Sequence, residues 1–485
     1  MSKAGEILIP GQTCWRIEQA TRATVIIDAD DYFRVARRAM VAAKHQILLI
    51  GWDFDARIRL SGSEPPDDDG PETVGDFISW LIERTPTLDV YLLRWDVGAL
   101  KSLTRGTTVF TLLNWMRHER IHTKLDGYHP TGGSHHQKIV VIDDCLAFCG
   151  GIDMTAGRWD TRAHSDDDRL RILPGGGAYQ PWHDATTALQ GPVATALGEL
   201  SRARWERAGG EPIAPPPPST GCWPDGLPVD FENLPVAIAR TVPEMPGDEP
   251  VHEIEALYLA AIASAEHFIY AESQYFASRR VAEAIARRLE EPDGPEIVIV
   301  NPESADGWLE PLAMDTARAH LIEALRLRDP YRRLRLYLPF TANGVAIYVH
   351  AKVLVVDDQL LRVGSSNFNN RSMRLDTECD VALAAPDEAS AACIARIRDG
   401  LIAEHIDCTR EAVAAKLAET GSLIATIESL RGPGRTLRDY VVPELSAVEE
   451  WLADNEALDP ENPEDMFEVT TGGLLSGIAR RMKGG

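Results

Sequence analysis

Apolar residues along the chain recur at helical spacing and then bunch into short runs with the look of strands, and the whole order occurs twice. Phe33, Ala36, Arg37 and Met40 mark a helix-period stretch that leads into the apolar run 46–50 and ends in Gly51-Trp52-Asp53. Ile254, Leu257 and Ala261 lead in the same way into 268–271, ending in Glu272-Ser273-Gln274. A second helix and strand follow in each series, at 74–84 then 90–95 and at 280–289 then 296–300, and a third helix around 110–117 and 312–327. Each series closes on a strand that carries a histidine and a lysine, at His136 and at His350, 214 residues apart. A duplicated unit of alternating helices and strands predicts an α/β fold of two pseudo-twofold-related lobes. Each would be a mostly parallel or mixed sheet flanked by helices, with the active site at the lobe interface.

The punctuation divides the chain into a first lobe over 15–210, a Pro-rich acidic linker over 211–250, a second lobe over 251–410 and a helical, acidic extension over 411–485. The acidic runs 63–72 and 444–468 read as solvated surface. Composition adds limits. At 485 residues, 44% hydrophobic and 25% charged, the chain can bury a sizeable core, and a net charge of −25 repels polyanions, so nucleic acid is not an expected partner. No run of 18 apolar residues occurs, and residues 1–15 lack the basic and apolar regions of a signal peptide. The expectation is a cytoplasmic protein, peripheral to a membrane at most, with leaderless export left open. Seven scattered cysteines without a CxxC pair argue against a disulfide framework or a zinc site and for buried reduced thiols.

The chemistry sits in two copies of one motif. His136-Gln137-Lys138 runs through Ile139-Val140-Val141-Ile142 to Asp143 and then Gly150-Gly151-Ile152-Asp153. His350-Ala351-Lys352 runs through Val353-Leu354-Val355-Val356 to Asp357 and then Gly364-Ser365-Ser366-Asn367. On a strand, residues two apart share a face, so each copy presents an imidazole and an ammonium side by side. One imidazole can attack phosphorus while the other protonates the leaving alkoxide, and the lysines with Asn367 can offset charge on the non-bridging oxygens. No His, Asp or Glu cluster has metal-ligand spacing, so neither a metal nor another cofactor is expected.

This duplicated HxKxxxxD resembles the signature of the phospholipase D superfamily. The segments 150–160 (GGIDMTAGRWD), 181–184 (PWHD), 268–276 (FIYAESQYF) and 364–373 (GSSNFNNRSM) resemble its eukaryotic-type branch. The resemblance implies a hydrolase of lipid metabolism that degrades glycerophospholipids to phosphatidic acid and a free alcohol through a phosphohistidine, with transfer of the phosphatidyl group to another alcohol as a variant. It implies His136 as nucleophile and His350 as general acid, with Asp184 orienting His136 and Glu378 orienting His350. Ser365, Asn367, Asp153 and Gln274 would contact substrate, and Asp143 and Asp357 would be structural. The implied partners are a phospholipid and a membrane surface, with one chain working as a monomer. The rivals are a cardiolipin-synthase-like phosphatidyltransferase, a nuclease or other phosphodiesterase of the same superfamily, and an inactive lipid-binding scaffold.

Two weaker signals remain. Trp52, Trp80, Trp95, Trp115 and Trp205 fall in apolar-periodic stretches and read as core. The tail 474–483 (LLSGIARRMK) reads as a frayed terminus rather than a membrane-binding helix.

Overall fold

The computed structural model describes residues 3–96, 108–305 and 314–443. Its framework is one mixed sheet of sixteen strands that runs through both lobes, in place of the separate sheet expected for each. At its centre lie two long antiparallel strands, β1 (Arg16–Ile27) and β9 (Phe231–Val242), in a register that sets Arg16 opposite Ile238 and Ala23 opposite Phe231. Outward from β1 come β8 (Ala185–Gln190), β6 (Leu146–Gly150), β5 (Ile139–Ile142), β2 (Gln46–Gly51), β3 (Asp89–Trp95) and β4 (Ile121–Asp126). Outward from β9 come β17 (Glu378–Ala384), β16 (Leu360–Gly364), β15 (Val353–Val356), β11 (Phe268–Glu272), β12 (Glu296–Val300) and β13 (Leu334–Phe340). The order is the same read from the centre in either direction, which is the pseudo-twofold relation the repeat predicts. β18 (Thr436–Asp439) adds to the second edge, and β10 (Val251–His252) extends the pairing of β9.

Alternation along the strands sorts side chains to two faces. Ile139 and Val141 of β5, with Val353 and Val355 of β15, enter one core that spans both lobes and packs under the helices 192–207 and 388–405. Val140 and Ile142 face a core closed by Phe33, Met40, Phe77 and Leu81 of the helices 29–41 and 74–84. Leu354 and Val356 face its counterpart, closed by Leu257, Ile285 and Ile322 of the helices 253–264, 279–290 and 316–327.

Three expectations change. The linker is extended only as far as residue 230, because 231–242 is the central strand β9; Pro235, Glu232 and Asn233 disguise it at one end, and Val236 to Ala239 are fully buried. The Pro-rich segment lies against the first lobe and is held by a disulfide between Cys222 and Cys145, 77 residues earlier, which no local spacing reveals. Cys14, Cys149 and Cys379 are buried thiols, and Cys393 and Cys408 are half-buried ones. Within the acidic loop 63–72, Asp68 is bound to the buried Arg37 at 2.8 Å and so is part of the packing. The extension supplies helices at 410–420 and 423–430 before β18; the acidic run 444–468 and the tail 474–483 lie outside the described residues.

The aspartate that ends each motif has a clear structural part. Asp143 and Asp144 turn β5 into β6, and Asp357 and Asp358 turn β15 into β16, all four with φ between +50° and +54°, a left-handed conformation that aspartate tolerates. The Asp143 carboxylate accepts from the backbone N–H of Lys44, His45 and Gln46 at 2.7 to 2.8 Å, and Asp357 accepts in the same way from Glu266, His267 and Phe268. Replacing Asp143 by Ala strands those donors, so Asp143→Ala should lose about 2–3 kcal/mol in urea unfolding. Asp143→Asn, which keeps an acceptor and tolerates the turn, should lose less.

Candidate active site

Regular pairing in β5 begins only at Ile139, so His136, Gln137 and Lys138 form an extended lead-in that pairs across the lobe boundary. The His136 N–H donates to Thr377 O at 2.9 Å, immediately before β17. In the pseudo-symmetric place, β14 (Tyr348–Val349) runs parallel to β7 (Trp182–His183), and the His350 N–H donates to His183 O at 2.7 Å. Glu378 follows Thr377 and Asp184 follows His183, so each imidazole meets the acid of the opposite lobe. His136 Nδ1 lies 3.1 Å from both oxygens of Glu378, and His350 Nδ1 lies 2.7 Å from Asp184 Oδ2. The expected pairing of Asp184 with His136 and Glu378 with His350 is therefore exchanged. The cause is backbone pairing: each motif's lead-in is held by the acid-bearing segment of the other lobe, not of its own.

The two imidazole rings face each other with centroids 6.4 Å apart. Their outer nitrogens are free of the carboxylates that fix the inner ones, which is the arrangement an orienting acid imposes on a reactive imidazole. Both carboxylates are shut away from solvent. Ser365 and Ser372 donate their hydroxyls to Glu378, and a Cβ on Gly151 would fall 2.1 Å from Asp184 Oδ1, so glycine there lets the carboxylate lie under the turn.

The electrostatics of the two halves differ. Lys138 pairs with Asp153 at 3.0 Å, whereas Asn367 occupies the place of Asp153 in the second lobe and brings no charge. Burial pushes the Lys352 ammonium down to about 7, helped by Lys138 and Arg158 and opposed by Asp184 and Glu378. Burial, then Lys352, Arg158, Lys138 and His136, hold His350 well below the ordinary imidazole range. Burial also raises the Asp184 carboxyl, against the pull of Lys352 and Arg158. Burial would raise Glu378 as well, but His136, Ser365 and Lys138 more than offset it and keep this carboxyl below its usual range.

The expected substrate contacts divide. Asp153 spends its oxygens on Lys138 and on the backbone N–H of Trp52 (3.1 Å), so it orients a lysine and does not stabilise an anion. Ser365 is fully buried and supports the His136 dyad, through its hydroxyl on Glu378 and its carbonyl 3.1 Å from His136 Nδ1; it is not positioned to touch substrate. Asn367 accepts from the Gln274 N–H at 3.2 Å, and its amide lies 3.4 Å from Gln274 Oε1. Gln274 in turn donates to the hydroxyls of Tyr275 and Tyr348. His135 turns away from the site to Asp126 and Thr377. Aromatic side chains that the motifs do not include wall the site on the second side: buried Trp182 lies 5.2 Å from the His350 ring, stacked on Tyr348, and Arg158 sits 4.1 Å above it. Trp52 is half-buried with its ring 6.3 Å from that of His136, and the half-buried Trp95 stacks on it, so neither is the core residue expected. Trp115 and Trp205 are buried, and Trp80 is half-buried. The signals for Arg158 and Trp182 lay in the GRWD and PWHD segments, whose composition alone does not separate a wall of the site from the rest of the core.

Fold and site define a duplicated α/β protein with one two-histidine centre built from both halves. Residues 39–242 match the family model described as phospholipase D, and residues 258–397 match that described as cardiolipin synthase, PLD-like domain. The chain belongs to the phospholipase D superfamily. It is 26% identical to phospholipase D alpha 1 of Carica papaya, over 72% of this chain and 59% of that protein, and 26% identical to phospholipase D alpha 1 of Arabidopsis thaliana, over 71% and 59%. It thus spans about three fifths of the length of these relatives. The crystal structure of phosphatidylserine synthase from Haemophilus influenzae Rd KW20 has the same fold, with a TM-score of 0.58 and 14% identity, over 82% of this chain and 90% of that one.

The exchanged pairing has a direct spectroscopic test. In ¹⁵N spectra of the imidazoles, Glu378→Gln should move the Nδ1 signal of His136 and leave that of His350 in place, and Asp184→Asn should do the reverse. The opposite pattern would restore same-lobe pairing.

Proposed function

We propose that the chain is a phosphodiesterase that cleaves the head-group side of glycerophospholipids, releasing phosphatidic acid and an alcohol. The observation that carries this reading is the pair of facing imidazoles, each fixed at Nδ1 by a buried carboxylate and each accompanied by a lysine. A phosphodiester between the rings is reached from one side by a nucleophile and from the other by a proton donor. Lys352, Lys138 and Arg158 supply positive charge for its non-bridging oxygens without reorganisation. The plant relatives named phospholipase D alpha 1 favour a phospholipid substrate. No helix among the described residues is long and apolar enough to cross a membrane. Contact with a lipid surface is instead assigned to exposed Leu170, Ile172 and Leu173, on the loop before Trp182, and to Val345, on the loop before Tyr348. These loops are joined by a hydrogen bond from Thr341 to Asp166.

The charge distribution favours His350 as the nucleophile and His136 as the acid, the reverse of the order implied by resemblance. Surrounding cations and burial keep His350 neutral, with its outer lone pair available. His136 instead lies against Glu378, a carboxyl kept below its usual range, and a carboxylate at Nδ1 is the partner that suits a proton-donating imidazole. In this scheme His350 Nε2 bonds to phosphorus as the P–O bond to the head group breaks, and His136 gives its proton to the departing oxygen. Water then gives a proton to His136 and attacks phosphorus, the P–N bond breaks, and free His350 is restored. An alcohol in place of water yields the phosphatidylalcohol.

Incubation with mixed phospholipid vesicles and a primary alcohol should give phosphatidic acid and phosphatidylalcohol by mass spectrometry. If nucleic acid is cleaved while every phospholipid is left intact, the lipid assignment fails. Ile172→Asp should slow turnover of vesicles more than that of a monomeric short-chain lipid.

With a p-nitrophenyl diester, whose leaving group needs little protonation, His136→Asn should accumulate phosphoprotein and His350→Asn should form none. The reverse result would make His136 the nucleophile, and adduct in neither variant would remove the covalent mechanism.

A further inference from the structure

Behind the acid-bearing segment of the first lobe lies a second group of ionisable side chains that the two-histidine chemistry does not use. Asp28 follows β1, His164 lies in the loop beyond Trp159, His183 is on β7, and Glu404 is in the last turn of the helix 388–405. The first three belong to one lobe and Glu404 to the other. Each of the four offers a donor atom within 4.8 Å of the others, and none is more than 5% exposed.

Their spacing is that of a coordination shell. His183 Nδ1 and His164 Nε2 lie 2.9 and 3.0 Å from Glu404 Oε1, and 3.3 and 3.6 Å from the oxygens of Asp28. Four nitrogen and oxygen donors at bond lengths of about 2.1 Å around a tetrahedral ion stand about 3.4 Å apart, within the span of these separations. Two further observations point to a ligand. Asp28 Oδ2 and His183 Nδ1 are shut from solvent yet complete no hydrogen bond among the described residues, although Glu404 comes so close. The remaining nitrogen of each imidazole is held by another buried carboxylate, His164 Nδ1 by Asp160 at 3.0 Å and His183 Nε2 by Glu272 at 2.8 Å. That outer pairing is the one that orients imidazoles on a metal.

We propose that Asp28, His164, His183 and Glu404 hold a structural zinc ion that clasps the two lobes. Two imidazoles and two carboxylates suit Zn²⁺, whereas Ca²⁺ and Mg²⁺ take six or more ligands, mostly oxygen. Arg162 pairs with the other oxygen of Glu404, and Asp28 and Glu404, with Asp160 and Glu272 behind the imidazoles, offset both that cation and the dication, which removes most of the cost of burying it. Asp28 also accepts from the Asp184 N–H at 3.0 Å, and His183 O accepts from the His350 N–H, so the ion would fix the backbone from which the second dyad is hung.

Elemental analysis of the full chain, purified without chelator or histidine tag, should find about one zinc per chain, and Glu404→Gln about a tenth of that with an unchanged circular dichroism spectrum. Chelator should lower the melting temperature and added Zn²⁺ should restore it. Co²⁺ added to the stripped chain should give the intense visible absorption of four-coordinate cobalt. A wild-type chain without zinc, without a melting response to Zn²⁺ and without that absorption would overturn the site, leaving the imidazoles as cations paired with the carboxylates. Full retention of zinc by Glu404→Gln would overturn it as well. If that variant does not fold, the wild-type metal content and cobalt spectrum decide. None of these readouts involves phosphodiester turnover, so the zinc site and the proposed reaction stand or fall separately.

Discussion

The structure depends on a crossed exchange between lobes, in which each motif histidine is held by a carboxylate that the other lobe owns. Neither lobe contains a complete dyad. The exchange fixes more than the imidazoles, because the same backbone pairing carries His136 to Thr377 and His350 to His183. Any movement of one lobe against the other breaks both dyads at once. The long central pair of β1 and β9, the shared core beneath the helices 192–207 and 388–405, and the cluster around His183 all oppose that movement.

Near-equivalent halves do not make an equivalent site. Asp153 pairs with Lys138, whereas Asn367 in the equivalent place brings no charge to the Lys352 side, and Arg158 leans over Trp182 on the side of His350. Burial and the surrounding cations hold the His350 imidazole well below its ordinary range, and that asymmetry arises from neighbours rather than from the motif itself.

The repeat, the helix-strand order and the four motif residues were legible in the chain because periodicity and local spacing encode them. The elements that escaped are those whose signal is non-local. β9 hides behind Pro235 and an acidic flank, and its burial comes only from strands far away in sequence. The Cys145–Cys222 bond and the grouping of residues 28, 164, 183 and 404 join positions too far apart for spacing rules. The exchange of acids could not be read either, since two symmetric pairings satisfy the same motifs and only strand order selects between them. Trp52 and Trp95 mislead for a related reason: a strand end pointing at a cleft has the same apolar pattern as one pointing into a core.

The central pair β1 and β9 makes each half the missing edge of the other. A lone half would present a twelve-residue strand with unpaired backbone groups, and the simplest partner for it is a second copy of itself. In such a homodimer every substitution is made twice, so a site on its axis must remain symmetric. Joining the halves in one chain lifts that restriction, and Asp at 153 opposite Asn at 367 is a difference that only the joined chain can carry.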